Sequence, residues 1–147
     1  DAGRVAALAA AVRAVAELPD PVGRVLDTRV LPNGLSLQKV AVPFGVVGSI
    51  YEARPNVTVD IASLALRSGN AVVLRGGSAA QSSNATLVRV MRDALSARGV
   101  DPEAIQSVDF GRDGARALMN ARGLVDVLVP RGSASAHRDR RDRVHRA

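Results

Sequence analysis

Between Glu52 and Ser78 the chain gathers residue types that handle anions. Glu52 and Arg54 stand two apart, so both can flank one cleft if the segment between two regular elements is a loop. Arg54 could meet a substrate carboxylate or phosphate while Glu52 holds it in place; a plain surface ion pair is the alternative. Further on, Arg75-Gly76-Gly77-Ser78 closes a short apolar run. Glycines there let backbone approach a bound nucleotide, Ser78 adds a hydroxyl, and an arginine suits a phosphate through paired, charge-assisted hydrogen bonds. Taken alone, GGS is a turn and a strand-ending arginine is solvated. Asn56 follows Pro55 and, on residue type alone, reads as a helix cap.

These residues need elements to bring them together. Gly45 to Tyr51 and Ala71 to Leu74 are β-branched runs without alternation, the pattern of strands covered on both faces. Between them Ile61, Leu64, Ala65 and Leu66 fall on one helical stripe, and Gly69 sits where a helix should stop. The stretch from Pro43 to Ser78 is therefore a βαβ unit, with parallel strands whose carboxyl-end loops, Glu52 to Asn56 and Arg75 to Ser78, open on one sheet edge. Open α/β sheets bind ligands at that edge.

Downstream, Leu87, Val90, Met91, Ala94 and Leu95 share a second helical stripe, with Asn84 or a nearby serine as its cap and Gly99 closing it. Ile105 to Val108 is a weak strand, and Arg112 to Arg122 is a helix carrying Ala115, Leu118 and Met119. Val125 to Val129 is a buried strand closed by Pro130-Arg131-Gly132-Ser133. The predicted fold is α/β, a doubly wound (Rossmann-like) parallel sheet. Upstream, Val5, Leu8, Ala9, Val12, Val15 and Ala16 keep helical spacing until Leu18-Pro19 ends it. Turn signals at Asp20-Pro21 and Pro32-Asn33-Gly34 then bracket an extended piece, and Leu35, Leu37 and Val40 to Val42 suggest a strand that leaves the sheet to pair elsewhere. Tyr51 and Phe44 are expected in the core.

Composition narrows the function classes. The 147 residues, 47% hydrophobic, suffice for one domain. No apolar run approaches the roughly 20 residues that cross a bilayer, and no leader is evident, so no membrane partner is expected. The chain has no cysteine and two histidines, which excludes a thiolate site and leaves zinc poorly supplied within these residues. The net charge of +6 is concentrated between Arg131 and Ala147, where six arginines face two aspartates. No aromatic or recognition motif accompanies that charge, so no nucleic-acid partner is expected.

The stretches SIYEARPNVTVD (Ser49 to Asp60) and SGNAVVLRGGS (Ser68 to Ser78) resemble glutamate-5-semialdehyde dehydrogenase, also called gamma-glutamyl phosphate reductase, of the aldehyde dehydrogenase superfamily. LPDPVG (Leu18 to Gly23), PNGL (Pro32 to Leu35) and VDVLVPRG (Val125 to Gly132) extend the match over nearly all of the first 135 residues. The resemblance implies NADPH-dependent reduction of L-glutamyl 5-phosphate to L-glutamate 5-semialdehyde with release of phosphate, in a cytoplasmic homo-oligomer. It implies attack by a cysteine thiolate to give a thioester, and that cysteine lies beyond position 147, so the chain as given should not turn over. The rival reading is a non-catalytic dinucleotide- or phosphate-binding module.

By the same resemblance Asn56 aligns with an amide that donates to the oxyanion. Arg75, Gly76, Gly77 and Ser78 meet the NADP(H) adenosine, Arg131 and Gly132 open a turn near the cofactor phosphates, and Glu52 and Arg54 face the substrate. Residues 1 to 135 would be a partial aldehyde-dehydrogenase-like NADP-binding domain, with part of the oligomerisation strands at about 31 to 43. Residues 136 to 147 are a basic tail. Back-translated with GC-rich codons from Ala136 and read one base later, the tail gives LTATVVTESTVP, close to the family's continuation. A frameshift near Ala136 and a fragment lacking both ends are the resulting expectations. Such a fragment, with strand edges uncovered, should fold marginally and aggregate.

Overall fold

In the computed structural model, which describes residues 1–52, 54–108 and 111–131, helix α1 (Ala2–Ala16) is capped by Asp1, whose carboxylate accepts from the Gly3 N–H at 2.9 Å. Strands β1 (Val25–Val30) and β2 (Ser36–Val40) then pair antiparallel in a two-stranded ribbon of their own. Asn33 Oδ1 accepts from the Leu35 N–H at 3.1 Å, and the Leu31 N–H donates to the Leu35 carbonyl, so the Pro32-Asn33-Gly34 turn fixes the pairing. The segment does leave the main sheet, as its sequence suggested. Every residue of both ribbon strands is exposed.

The chain then alternates strictly. Strand β3 (Val46–Tyr51), helix α2 (Pro55–Arg67), strand β4 (Ala71–Arg75), helix α3 (Gln81–Ser96), strand β5 (Ile105–Ser107), helix α4 (Arg112–Met119) and strand β6 (Val127–Arg131) follow in order. The four strands form one parallel sheet in the order β5-β4-β3-β6. Successive strands step outward from β3 to β5, and β6 returns to the other side of β3. The direction of winding therefore reverses between β3 and β6. This is the doubly wound, Rossmann-like parallel sheet that the sequence predicts.

Helix α2 ends as Gly69 predicts. Gly69 has φ +72°, its N–H donates to the Leu66 carbonyl, and the Asn70 N–H reaches back to Ala65. That bond pair is the Schellman arrangement, which requires a left-handed residue. Asn70, itself buried, then accepts from the Gly45 N–H at 3.0 Å and ties the helix end to the entry of β3. The core lies between α2, α3 and the sheet: Tyr51, Val57, Ala62, Ala65, Val72, Leu74, Val88 and Ile105.

Several expected positions shift. Leu64 is 49% exposed and Val90 is exposed, because α2 turns Val57, Ala62 and Ala65 to the sheet and α3 turns Val88. Small alanines let α2 approach the strands closely, which leaves Leu64 on the far side. Phe44 is 67% exposed rather than core, since it precedes β3 and no element covers it. Asn84 is no cap: a 3-10 turn at Ser78–Ala80 carries the chain into α3, whose cap position is Ala80, and Asn84 lies inside the helix. No serine side chain caps it either. Helix α4 stops at Met119, where the Asn120 N–H bonds back to Arg116 and Ala117. Strand β6 starts two residues later than expected, since the Asp126 carboxylate accepts from the Val46 N–H at 2.8 Å. It runs through Pro130 and Arg131, which a proline tolerates because β6 is an edge strand.

Candidate functional site

Register decides which loops meet. Ile50 pairs with Arg75 on one side and Pro130 on the other, and Tyr51 pairs with Arg131. The carboxyl ends of β3, β4 and β6 therefore lie along one sheet edge. Tyr51, Glu52, Arg54, Val57 and Arg131 line a cleft of about 280 Å³ there, beside the β3/β6 reversal where open α/β sheets take ligands. Two guanidinium groups face one carboxylate, so the cleft favours an anion.

The sequence-predicted residues fall into two groups at this edge. Glu52 and Arg54 line the first cleft with Arg131, all three exposed. The Arg54 N–H donates to the Glu52 carbonyl at 2.7 Å. Arg54 is the cap position of α2 and Pro55 its first residue, so Asn56 sits in the first turn, exposed, and does not cap the helix. The capping role for Asn56 is thereby excluded. Its backbone N–H is among those that a helix start leaves without an intrahelical partner, where negative charge is favoured.

Arg75, Gly76 and Gly77 are half-buried at the end of β4, and Ser78 is exposed at the start of the 3-10 turn. Gly76 borders a second cleft of about 340 Å³ with Gln81, Asn84, Arg89 and Ser107 among its walls. In that cleft Arg92 is engaged by Glu103 and by the Ile105 carbonyl at 3.3 Å. The two clefts share no lining residue, and Gly76 is the one glycine of the pair that borders the second. Gly132 and the basic tail lie outside the described residues.

The composition-level reading missed a buried polar chain beneath the edge. The Tyr51 hydroxyl lies 2.7 Å from Thr58 Oγ1, which donates to Asn84 Oδ1 at 3.0 Å. Burial pushes the Tyr51 phenol above its usual range. A signal existed. Asn84 shares a helical face with Val88, Met91 and Leu95, and an amide on an apolar face needs a partner. Among the described residues no group of three metal-ligating side chains occurs, and no helix is long and apolar enough to cross a membrane.

No family model matches the chain. Individual proteins do. Over 135 residues it is 66% identical to the gamma-glutamyl phosphate reductase of Kineococcus radiotolerans, covering 91% of this chain and 31% of that protein. The crystal structure of gamma-glutamyl phosphate reductase from Thermotoga maritima superposes with a TM-score of 0.90 at 36% identity, over 97% of this chain and 34% of that one. Rhodopseudomonas palustris propionaldehyde dehydrogenase, solved with bound propionyl-CoA, follows at a TM-score of 0.65 and 27% identity, over 77% of this chain and 25% of its own. The chain thus spans about a third of the length of the curated relatives it matches.

Proposed function

From the premise that the chain belongs to the gamma-glutamyl phosphate reductase family, we propose that it is the NADP(H)-binding part of an enzyme that reduces L-glutamyl 5-phosphate to L-glutamate 5-semialdehyde and phosphate. The observation that carries this reading is the shared carboxyl edge, where the register Ile50 to Arg75 and Tyr51 to Arg131 gathers the family's motif residues. NADPH would supply the hydride. Arg75 would receive its 2'-phosphate through charge-assisted bonds, Gly76 and Gly77 would let the backbone approach, and Ser78 would offer a hydroxyl. Arg131, with Gly132 after it, would serve the cofactor phosphates. Arg54, steadied by Glu52, would meet the substrate's anionic groups.

Asn56 would donate to the oxygen that gains negative charge as the acyl carbon is attacked. A nucleophilic sulfur is not among the 147 residues, so this chain should bind the cofactor without turnover. The exposed ribbon of β1 and β2 would serve oligomerisation, since a two-stranded hairpin with apolar side chains in water is marginal by itself. By family resemblance the intact enzyme would be a cytoplasmic homo-oligomer.

The test is a fluorescence titration with NADPH, followed by an assay for NADPH oxidation with L-glutamyl 5-phosphate. Saturable binding without oxidation is expected of the isolated chain. Fusing the chain to the cysteine-bearing remainder of a relative should then restore oxidation. Binding that persists without any restored turnover would favour the rival, a non-catalytic dinucleotide-binding module.

A further inference from the structure

Asn84 is placed where neither helix formation nor simple core packing calls for an amide. It is 4% exposed, its Oδ1 accepts from Thr58, and its Nδ2 has no partner among the described residues. An unpaired buried donor is a standing cost, so the residue must be kept for something its carbonyl or its shape does. Its shape meets the candidate cofactor loop. A methyl group at Gly76 would overlap Asn84 Nδ2 and stand 3.1 Å from Tyr51 Cε2. The side-chain space of Gly76 is already filled from below.

The same amide reaches the other half of the site. Thr58, its hydrogen-bond donor, lies on the first turns of α2 two residues after Asn56, and Tyr51 beyond it lines the cationic cleft. Asn84 lines the second cleft with Gly76. One buried chain thus connects both clefts through α2. We propose that Asn84 is a positioning residue: it seats Gly76 and, through Thr58, fixes loop 75–78 relative to Asn56 and Tyr51. The proposal rests on nucleotide binding at that loop. It assigns the glycine at 76 to the Asn84 amide beneath it, not to room needed by the cofactor above.

The experiment compares the full 147-residue chain with Gly76→Ala, Asn84→Ala and the double variant, by NADPH titration and thermal unfolding. Asn84→Ala should weaken NADPH about tenfold, the scale of one lost hydrogen bond. Gly76→Ala should weaken binding at least as much and lower the unfolding midpoint. In the double variant the alanine methyl enters the space the amide vacates, so both binding and midpoint should recover relative to Gly76→Ala. Additive effects, or wild-type NADPH affinity in Asn84→Ala, would overturn the proposal. So would a double variant that regains its midpoint but not its affinity, because the cofactor would then be the occupant of that space.

A wild-type chain that binds no NADPH would refute the proposed function instead, and a ligand-free measurement then decides on Asn84. Tyr51 is the single tyrosine, so its phenol can be titrated by ultraviolet absorbance. Removing the Asn84 acceptor frees the Thr58 hydroxyl to donate to the phenolate, and the titration should move to lower pH. An unmoved titration would contradict the buried chain.

Discussion

The parallel sheet and the β1–β2 ribbon both carry apolar side chains, more densely in β3 and β4 (VVGSIY, AVVLR) than in the ribbon (VLDTRV, SLQKV), yet only the sheet covers them. β3 is buried from Gly48 to Tyr51 and β4 buries Val72 and Leu74, and α2 and α3 close over the face that carries Tyr51, Val72 and Leu74. Leu26, Val30, Leu37 and Val40 of the ribbon are all exposed. Backbone pairing is local and needs only the turn at Pro32-Asn33-Gly34, whereas burial needs a second layer. The sheet brings its own layer and the ribbon does not. The ribbon's apolar side chains are thus left in water in this chain.

That contrast can be broken by mutation. Leu74→Ala, at a side chain with 0% exposure, should destabilise the sheet by about 2–5 kcal/mol in denaturant unfolding; a loss near zero would mean the two regions do not differ. Next in size, Gly69→Ala should cost about 1–2 kcal/mol for its left-handed φ, with more added because its methyl would stand 2.9 Å from Pro43 Cγ. Smallest should be Leu37→Ser in the ribbon, within roughly 0.5 kcal/mol for the monomer. That variant should nevertheless reduce self-association in sedimentation, since it removes uncovered apolar surface.

The Tyr51 phenol sharpens the same contrast through pH. Its raised folded-state pKa means that both states are protonated below about pH 10 and the full contribution is present. Above that, the unfolded chain ionises first and stability falls as pH rises. Tyr51→Phe should flatten the alkaline limb of a stability-versus-pH curve, while ribbon substitutions should leave it unchanged.

Strand and helix order were legible because the β-branched runs at 45–51 and 71–74 lack alternation and are punctuated by Gly69 and Gly99. The edge that gathers Glu52, Arg54 and Arg75 followed from parallel pairing alone, whereas Arg131 entered through the family resemblance. Side-chain burial was less legible. Leu64 and Val90 satisfy a helical stripe, but which stripe faces the sheet depends on where alanines permit close approach. Asn84 read as a cap because asparagine favours helix starts; only its contact with Gly76 and its bond to Thr58 reveal a buried role. Pro130 looked like a stop, and an edge strand absorbs it.

The most direct measurement is a residue-resolved NMR titration of the chain with NADPH. Amide shifts should change at Gly76, Gly77, Ser78, Asn56 and Arg131 and stay fixed along Val25–Val30 and Ser36–Val40. Shifts that appear along the ribbon or at the amino edge near Val46 and Ala71, with residues 75–78 silent, would contradict a cofactor seat at the carboxyl edge of this sheet.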